Sequence, residues 1–264
     1  MYGNKKVDHT LDPDFMTSFF KNAQIAELKL LIKLIKELYF LEKRRLNILD
    51  IGVGDGRVPL ALSKNDVWKK IALFVGIENS KIEVQKATSR IQNAKLDKKV
   101  KIISFDALNL GVKDASQVFK QKYDLIICTY FTPGNFKPDE IKIQTGVNGK
   151  VIPYDKKLLS PNKNFIKVFK PAYALLNDEG KIFLGSTYID SDENQKRQEE
   201  FYRKCGMTVI TSKSDSFTAT KEGFWSQRFT KERIYDYFSW VKKEEIKFIP
   251  LDNYNFAQSI IVSK

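Results

Sequence analysis

The chain is poor in the residues that most often carry acid–base and metal chemistry. Its 264 residues hold one histidine, His9, and two cysteines, Cys128 and Cys205. The cysteines lie far apart and neither has the partner spacing of a zinc site, so no metal is expected and a reducing, cytoplasmic setting is. No paired carboxylates and no Cys/His set stand out as acid–base machinery. Long apolar runs are also missing. Ala23–Glu42 comes closest to a membrane span, and Glu27, Lys29, Lys33, Lys36 and Glu37 interrupt it. The first residues lack the apolar core and cleavage site of a secretory signal. Arginine is scarce as well: it supplies eight of 45 basic residues. The net charge of +13 invites a nucleic-acid partner. Arginine, however, is the side chain suited to bidentate phosphate and base contacts. The lysines are spread along the chain with no block of five or six. A general enrichment in lysine explains that pattern better than a nucleic-acid footprint, which is therefore disfavoured.

What the chain does have is enough apolar residues (42%) and length for one full α/β domain with additions. The stretch Leu46–Val58, LNILDIGVGDGRV, organises the rest. Asn47–Ile51 is a short apolar run suited to a buried strand. Gly52, Gly54 and Gly56 then alternate, and Arg57-Val58-Pro59-Leu60 reads as the start of a helix. Glycines between strand and helix let backbone N–H groups and a helix N-terminus approach a ligand. A dinucleotide fingerprint would need a glycine where Arg57 stands. Downstream, short apolar runs alternate with helical patterns. Strands are expected at 72–77, 100–104, 123–129, 181–187, 207–211 and 257–262. Helices are expected at 81–96, 164–176, 191–204 and 229–241. That alternation predicts a mainly parallel sheet with helices on both faces. Ahead of it, Asp12-Pro13 reads as a helix start. The helix or helices then run to about Glu42, with Ile25, Leu28, Ile32, Ile35 and Tyr39 as the apolar stripe.

The Gly-x-Gly-x-Gly spacing, with Asp50 two residues ahead, resembles the first motif of the class I (Rossmann-like) S-adenosylmethionine-dependent methyltransferases. The resemblance covers about Leu46–Thr187, and the ends by strand order only. It implies an α/β fold with a seven-stranded, mainly parallel sheet, an antiparallel last strand and an N-terminal helical extension. One domain, 1–264, is expected. Residues 1–45 would form the helical extension or lid, and 133–161 and 212–254 the substrate-side insertions. The cofactor implied is S-adenosylmethionine, leaving S-adenosylhomocysteine as product. Asp50 would support the loop and the methionine amino group, with Gly52, Gly54 and Gly56 lying against the methionine and ribose. Glu78, 28 positions after Asp50, ends the second strand and can accept two hydrogen bonds from ribose hydroxyls. Asn79 would shape the same turn. Asp106 and the backbone N–H of Ala107 would face the adenine edge, and Thr129 would lie beside the sulfonium.

Candidates for the acceptor side are Tyr2 and His9 in an N-terminal lid together with Phe15, Phe19 and Phe20. Tyr130 and Phe131 after strand four, Tyr188 after strand five, and Trp225 and Arg228 in the second insertion complete the set. Members of the resembled family that methylate exocyclic nucleobase amines tend to carry Asn/Asp-Pro-Pro-aromatic after strand four, and Thr129–Pro133 departs from it. The leading expectation is therefore methyl transfer to a small molecule by in-line displacement. The alternatives are an RNA or protein acceptor, or a non-catalytic cofactor-binding module. The acceptor, the oligomeric state and any general base are not readable from these residues.

Overall fold

The computed structural model describes residues 18–112, 115–212, 215–251 and 254–264. The expected helix start at Asp12-Pro13 and the lid candidates Tyr2, His9 and Phe15 lie outside them. The main sheet has seven strands among the described residues: β1 Leu46–Ile51, β2 Ile71–Glu78, β3 Val100–Ser104, β4 Tyr123–Cys128, β5 Leu176–Tyr188, β6 Ile246–Leu251 and β7 Tyr254–Ser263. Their order is β6-β7-β5-β4-β1-β2-β3. β7 runs antiparallel between β5 and β6, and the other pairings are parallel. The helices are α1 Ser18–Glu42, α2 Arg57–Ser63, α3 Lys81–Asn93, α4 Ala115–Val118, α5 Lys163–Ala174, α6 Asp192–Lys204 and α7 Lys231–Tyr237.

This is the fold expected from the sequence, with one strand misplaced there. Residues 207–211 do not enter the sheet; Val209 only bridges Thr220. The edge strand is Ile246–Leu251, inside the segment expected to be insertion. Pro250 sits in it, which an edge strand tolerates because one row of N–H groups has no ladder to join.

The central strands are buried on both faces, and alternate side chains serve alternate cores. Leu49, Ile51, Ile126 and Ile182 pack with Phe165, Val168 and Phe169 of α5. Ile48, Phe74, Leu125, Ile127 and Phe183 pack with Leu31, Leu34 and Leu38 of α1 and with Leu62 and Ile91. The buried stripe of α1 is Ala23, Glu27, Leu31, Leu34, Ile35 and Leu38. It is turned from the expected one: Ile25 is 52% exposed, whereas the charged Glu27 is 4% exposed. The two expected insertions pack on each other, with Ile141 and Leu159 of the first against Phe217, Ala219 and Trp225 of the second. Their ribbons are Ile143–Gln144 with Lys150–Val151, and Phe217–Ala219 with Trp225–Gln227.

At the opposite, amino end of the strands, buried Asp124 of β4 ties three segments together. It accepts from Asn47 N at 2.7 Å, from Arg44 Nη1 at 2.9 Å and from the Asn177 amide. Removing a buried charge's partner set strands the remaining groups, so Asp124→Ala is expected to cost about 3 kcal/mol of stability. Urea melts that differ from wild type by less than about 0.5 kcal/mol would contradict this anchoring account.

Candidate functional site

The carboxyl ends of β1, β2, β3 and β4 meet at the glycine loop. Gly52 N and Val53 N both donate to Ile77 O, at 2.9 and 3.0 Å, so the loop is pinned to β2. Gly52, Gly54 and Gly56 have φ of 77°, 54° and 80°. These are left-handed values that side chains disfavour. Gly52 is doubly constrained, because a methyl there would stand 2.7 Å from Thr132 Cγ2 of the loop after β4. Gly56 caps α2, which begins at Arg57.

Glu78 faces this loop. Its Oε2 accepts from Gly54 N at 3.2 Å and its Oε1 from Ser80 N at 2.9 Å. Each oxygen keeps a further lone pair, so the carboxylate can brace two turns and still accept from a ligand. Asp106 uses Oδ1 to accept from Leu108 N at 3.0 Å and caps the short turn Ala107–Asn109. Asn79 is exposed beside the Glu78 turn, and Thr129 is buried after β4.

Asp50, at the end of β1, is fully buried, and neither carboxylate oxygen has a hydrogen-bond partner among the described residues. Burial, with lesser contributions from Glu27 and Glu78, pushes its pKa from 3.8 up to about 8, while Arg57 works against the rise. A dry, unpaired carboxylate costs stability unless something positive or hydrogen-donating meets it.

The loop after β4 carries strain. Tyr130 and Phe131 have φ of 52° and 62°. The Arg57 guanidinium lies 4.4 Å from the centre of the Tyr130 ring. Phe131 stacks on Tyr188 at 4.1 Å, and both belong to an aromatic cluster with Phe256. Burial holds the hydroxyls of Tyr130 and Tyr188 well above the usual phenol range. The expected trio Tyr130, Phe131 and Tyr188 is thus assembled at the ends of β4 and β5.

Two other expected substrate contacts sit in buried surroundings. Trp225 is packed inside the insertion core, 5.3 Å from the Phe217 ring. Arg228 is fully buried. Its Nη1 donates to Gln198 Oε1 at 2.7 Å and Thr218 Oγ1 at 2.9 Å, and its Nε to Asp190 Oδ1 at 3.3 Å. Internal hydrogen bonds account for Arg228, whereas the Trp225 ring is packed in that core with its Nε1 buried and without a hydrogen-bond partner among the described residues. Sequence reasoning missed Glu27 and passed over Arg57 except as an absent glycine. A charged residue at position i+4 of Ala23 and i−4 of Leu31 was the available signal for Glu27.

The sequence matches the family described as Methyltransferase domain over residues 42–238. The chain belongs to this methyltransferase family. Solved structures share the fold across nearly the whole chain. One is the PH0226 protein from Pyrococcus horikoshii OT3, with TM-score 0.58, 15% identity, and 99% of each chain covered. Another is an S-adenosylmethionine-dependent methyltransferase from Clostridium acetobutylicum ATCC 824, at 0.51 and 14%, covering 88% of this chain and 89% of that one. A third is CalS10, an amino pentose methyltransferase from Micromonospora echinaspora solved with S-adenosylmethionine, at 0.52 and 9%, covering 94% and 97%. No curated protein matches the sequence.

The methyltransferase is an enzyme whose cofactor is S-adenosylmethionine, and the site fits that group. The orphaned Asp50 carboxylate suits an ammonium, and Glu78 suits a pair of hydroxyls. No described helix is long and apolar enough to cross a membrane.

Asp50 supplies a test. With a folded pKa near 8 against an ordinary 3.8, the native state keeps a proton that the unfolded chain releases. Free-protein stability therefore falls as pH rises from about 4 to 8. Asp50→Asn should raise the free protein's Tm at pH 8 and weaken S-adenosylhomocysteine binding about 10- to 100-fold. Wild-type affinity should improve as pH climbs toward 8, with proton release seen by calorimetry in buffers of different ionisation enthalpy. A pH-independent affinity would contradict this.

Proposed function

We propose that this enzyme methylates a small-molecule acceptor in the cytoplasm. The carrying observation is electrostatic. In a chain of net charge +13, the ends of β1–β4 gather Asp50, Glu78 and Asp106, with buried Glu27 beside them and Arg57 set against them. A polyanionic acceptor would have to bring phosphates up to Glu78 and Asp106, whereas a neutral or cationic small molecule would not. The aromatic cluster of Tyr130, Phe131 and Tyr188 at the ends of β4 and β5 favours an apolar, compact substrate over a polyanion. CalS10 acts on an amino pentose, but it shares only the fold with this chain, so the acceptor reading rests on the site.

S-adenosylmethionine, when bound, supplies an electrophilic methyl group on a sulfonium. The chain's part is holding and aligning. Asp50 would accept from the ammonium end, Glu78 from the ribose hydroxyls, and Asp106 with the Ala107 N–H would meet the adenine edge. Thr129 and the loop after it border the transfer region, where alignment can supply much of the rate. Residues 133–161 and the part of 212–254 ahead of β6 form one unit with its own core. We read that unit as the substrate side of a single domain.

The test uses S-adenosylmethionine labelled in its methyl group, with cell extract divided into small-molecule, RNA and protein fractions. Label is expected in the small-molecule fraction, and Glu78→Ala is expected to weaken S-adenosylhomocysteine binding at least about 10-fold. Label confined to RNA, with binding that falls steeply as salt rises, would replace this reading with the RNA alternative.

A further inference from the structure

Glu27 is the buried carboxylate that no part of the cofactor site uses. It comes from α1, an element outside the glycine motif, and reaches the seam between the ends of β4 and β5. Its Oε2 accepts from Tyr130 N at 2.9 Å, fixing the first residue of the strained Tyr130–Phe131 turn.

The neighbouring strand is shaped around the same carboxylate. β5 and β7 pair Leu184 with Ile260 and Thr187 with Gln258, so Gly185 and Ser186 together oppose Ser259. This is a β-bulge, a device that often re-aims backbone beside active sites. Ser186 has φ of 49° within it. A side-chain carbon on Gly185 would collide with the Glu27 carboxylate, so a glycine is required where the strand pattern alone asks for an apolar residue.

The turn held in this way touches the glycine motif twice. The Tyr130 ring carries Arg57 on its face, and Thr132 fills the space against Gly52. A chain of direct contacts therefore runs from α1 through the loop after β4 to the glycine loop.

We propose that Glu27 is a positioning residue for methyl transfer, whose carboxylate sets the Tyr130–Phe131 turn against the Gly185–Ser186 bulge and so fixes the acceptor-side wall relative to the glycine loop. The inference rests on methyl transfer at this site and is independent of the acceptor's size. A left-handed turn at two non-glycine residues persists only where the surroundings over-determine it. Losing the Glu27 acceptor frees the Tyr130 N–H and lets the turn relax. Glutamine keeps an acceptor oxygen and nearly the same volume, so it should keep the turn.

The experiment compares Glu27→Ala, Glu27→Gln and Leu34→Ala with the full-length wild type. Leu34 is buried on the same helix in a different core cluster from the Tyr130–Phe131 turn, so it reports the effect of merely weakening α1. Readouts are Tm, S-adenosylhomocysteine affinity by calorimetry, and the rate of labelled methyl transfer in whichever extract fraction takes label, measured well below each Tm. Glu27→Ala is expected to slow transfer by about 100-fold with cofactor affinity held within about 3-fold, and Glu27→Gln to restore most of the rate. Leu34→Ala is expected to lower Tm and leave the rate unchanged. Transfer by Glu27→Ala at the wild-type rate overturns the proposal. So does a loss that Leu34→Ala reproduces, or one that tracks lost cofactor affinity. Label in RNA alone overturns the small-molecule reading and leaves this comparison intact. A wild-type protein that transfers no label overturns both.

Discussion

A carboxyl group sealed at the end of a parallel strand must either keep its proton or be met by something positive, and the centre of this enzyme is arranged around that choice. Asp50 has no hydrogen-bond partner among the described residues and sits near two further carboxylates, Glu27 and Glu78. Arg57 is the one cation among the groups that act on it, and its guanidinium lies over Tyr130 within no ion-pair distance of Asp50. Such a constellation is a poor way to stabilise a fold and a sensible way to receive a cationic ligand, since binding relieves a penalty already built into the free protein. The parallel sheet makes this possible. Both of its faces are committed to apolar packing, so polar chemistry is displaced to the strand ends, where backbone N–H groups and loops converge.

The second consequence concerns α1. A helix laid across a sheet normally contributes apolar cover, and Leu31, Leu34 and Leu38 do that here. One turn earlier the same stripe presents Glu27, and β5 gives up a side chain at Gly185 to admit it. The cost of burying that charge is only partly offset by the Tyr130 N–H, and its pKa rises through burial. Local rules broken together, as here by a charge on an apolar stripe, a glycine in a strand and three left-handed non-glycine residues, mark a place where structure has been spent on geometry.

The sequence made the sheet, the glycine turn and the acid closing β2 legible because each has a local signature. Glycines at alternate positions and an acid closing an apolar run announce themselves without knowledge of the fold. The sixth strand failed for a physical reason. Residues 207–211 look like a strand and bridge Thr220 instead, while Ile246–Leu251, carrying Lys247 and Pro250, reads as loop because an edge strand need not be uniformly apolar. The surroundings of Arg228 were not legible at all: Gln198 and Asp190 lie at one helix and its lead-in and Thr218 in a distant ribbon, and no window of sequence places them around a guanidinium. Trp225 and Phe217 likewise acquire a core only because two insertions fold onto each other.

Net charge gives the most instructive contrast. A value of +13 describes the chain averaged over its surface, and by itself it points toward a polyanion. The groups that decide what the cleft receives are few, close together and partly dehydrated, so each acts through a far lower dielectric than a surface lysine does. Asp50 and Glu27 are buried and Glu78 partly so, whereas most lysines are solvated and screened within about 10 Å at ordinary salt. The field at the glycine loop therefore depends on the protonation of Asp50 and Glu27, on Glu78 and on Arg57 rather than on the sum over 264 residues. Surface charge and site chemistry are in this way separate properties of a basic protein.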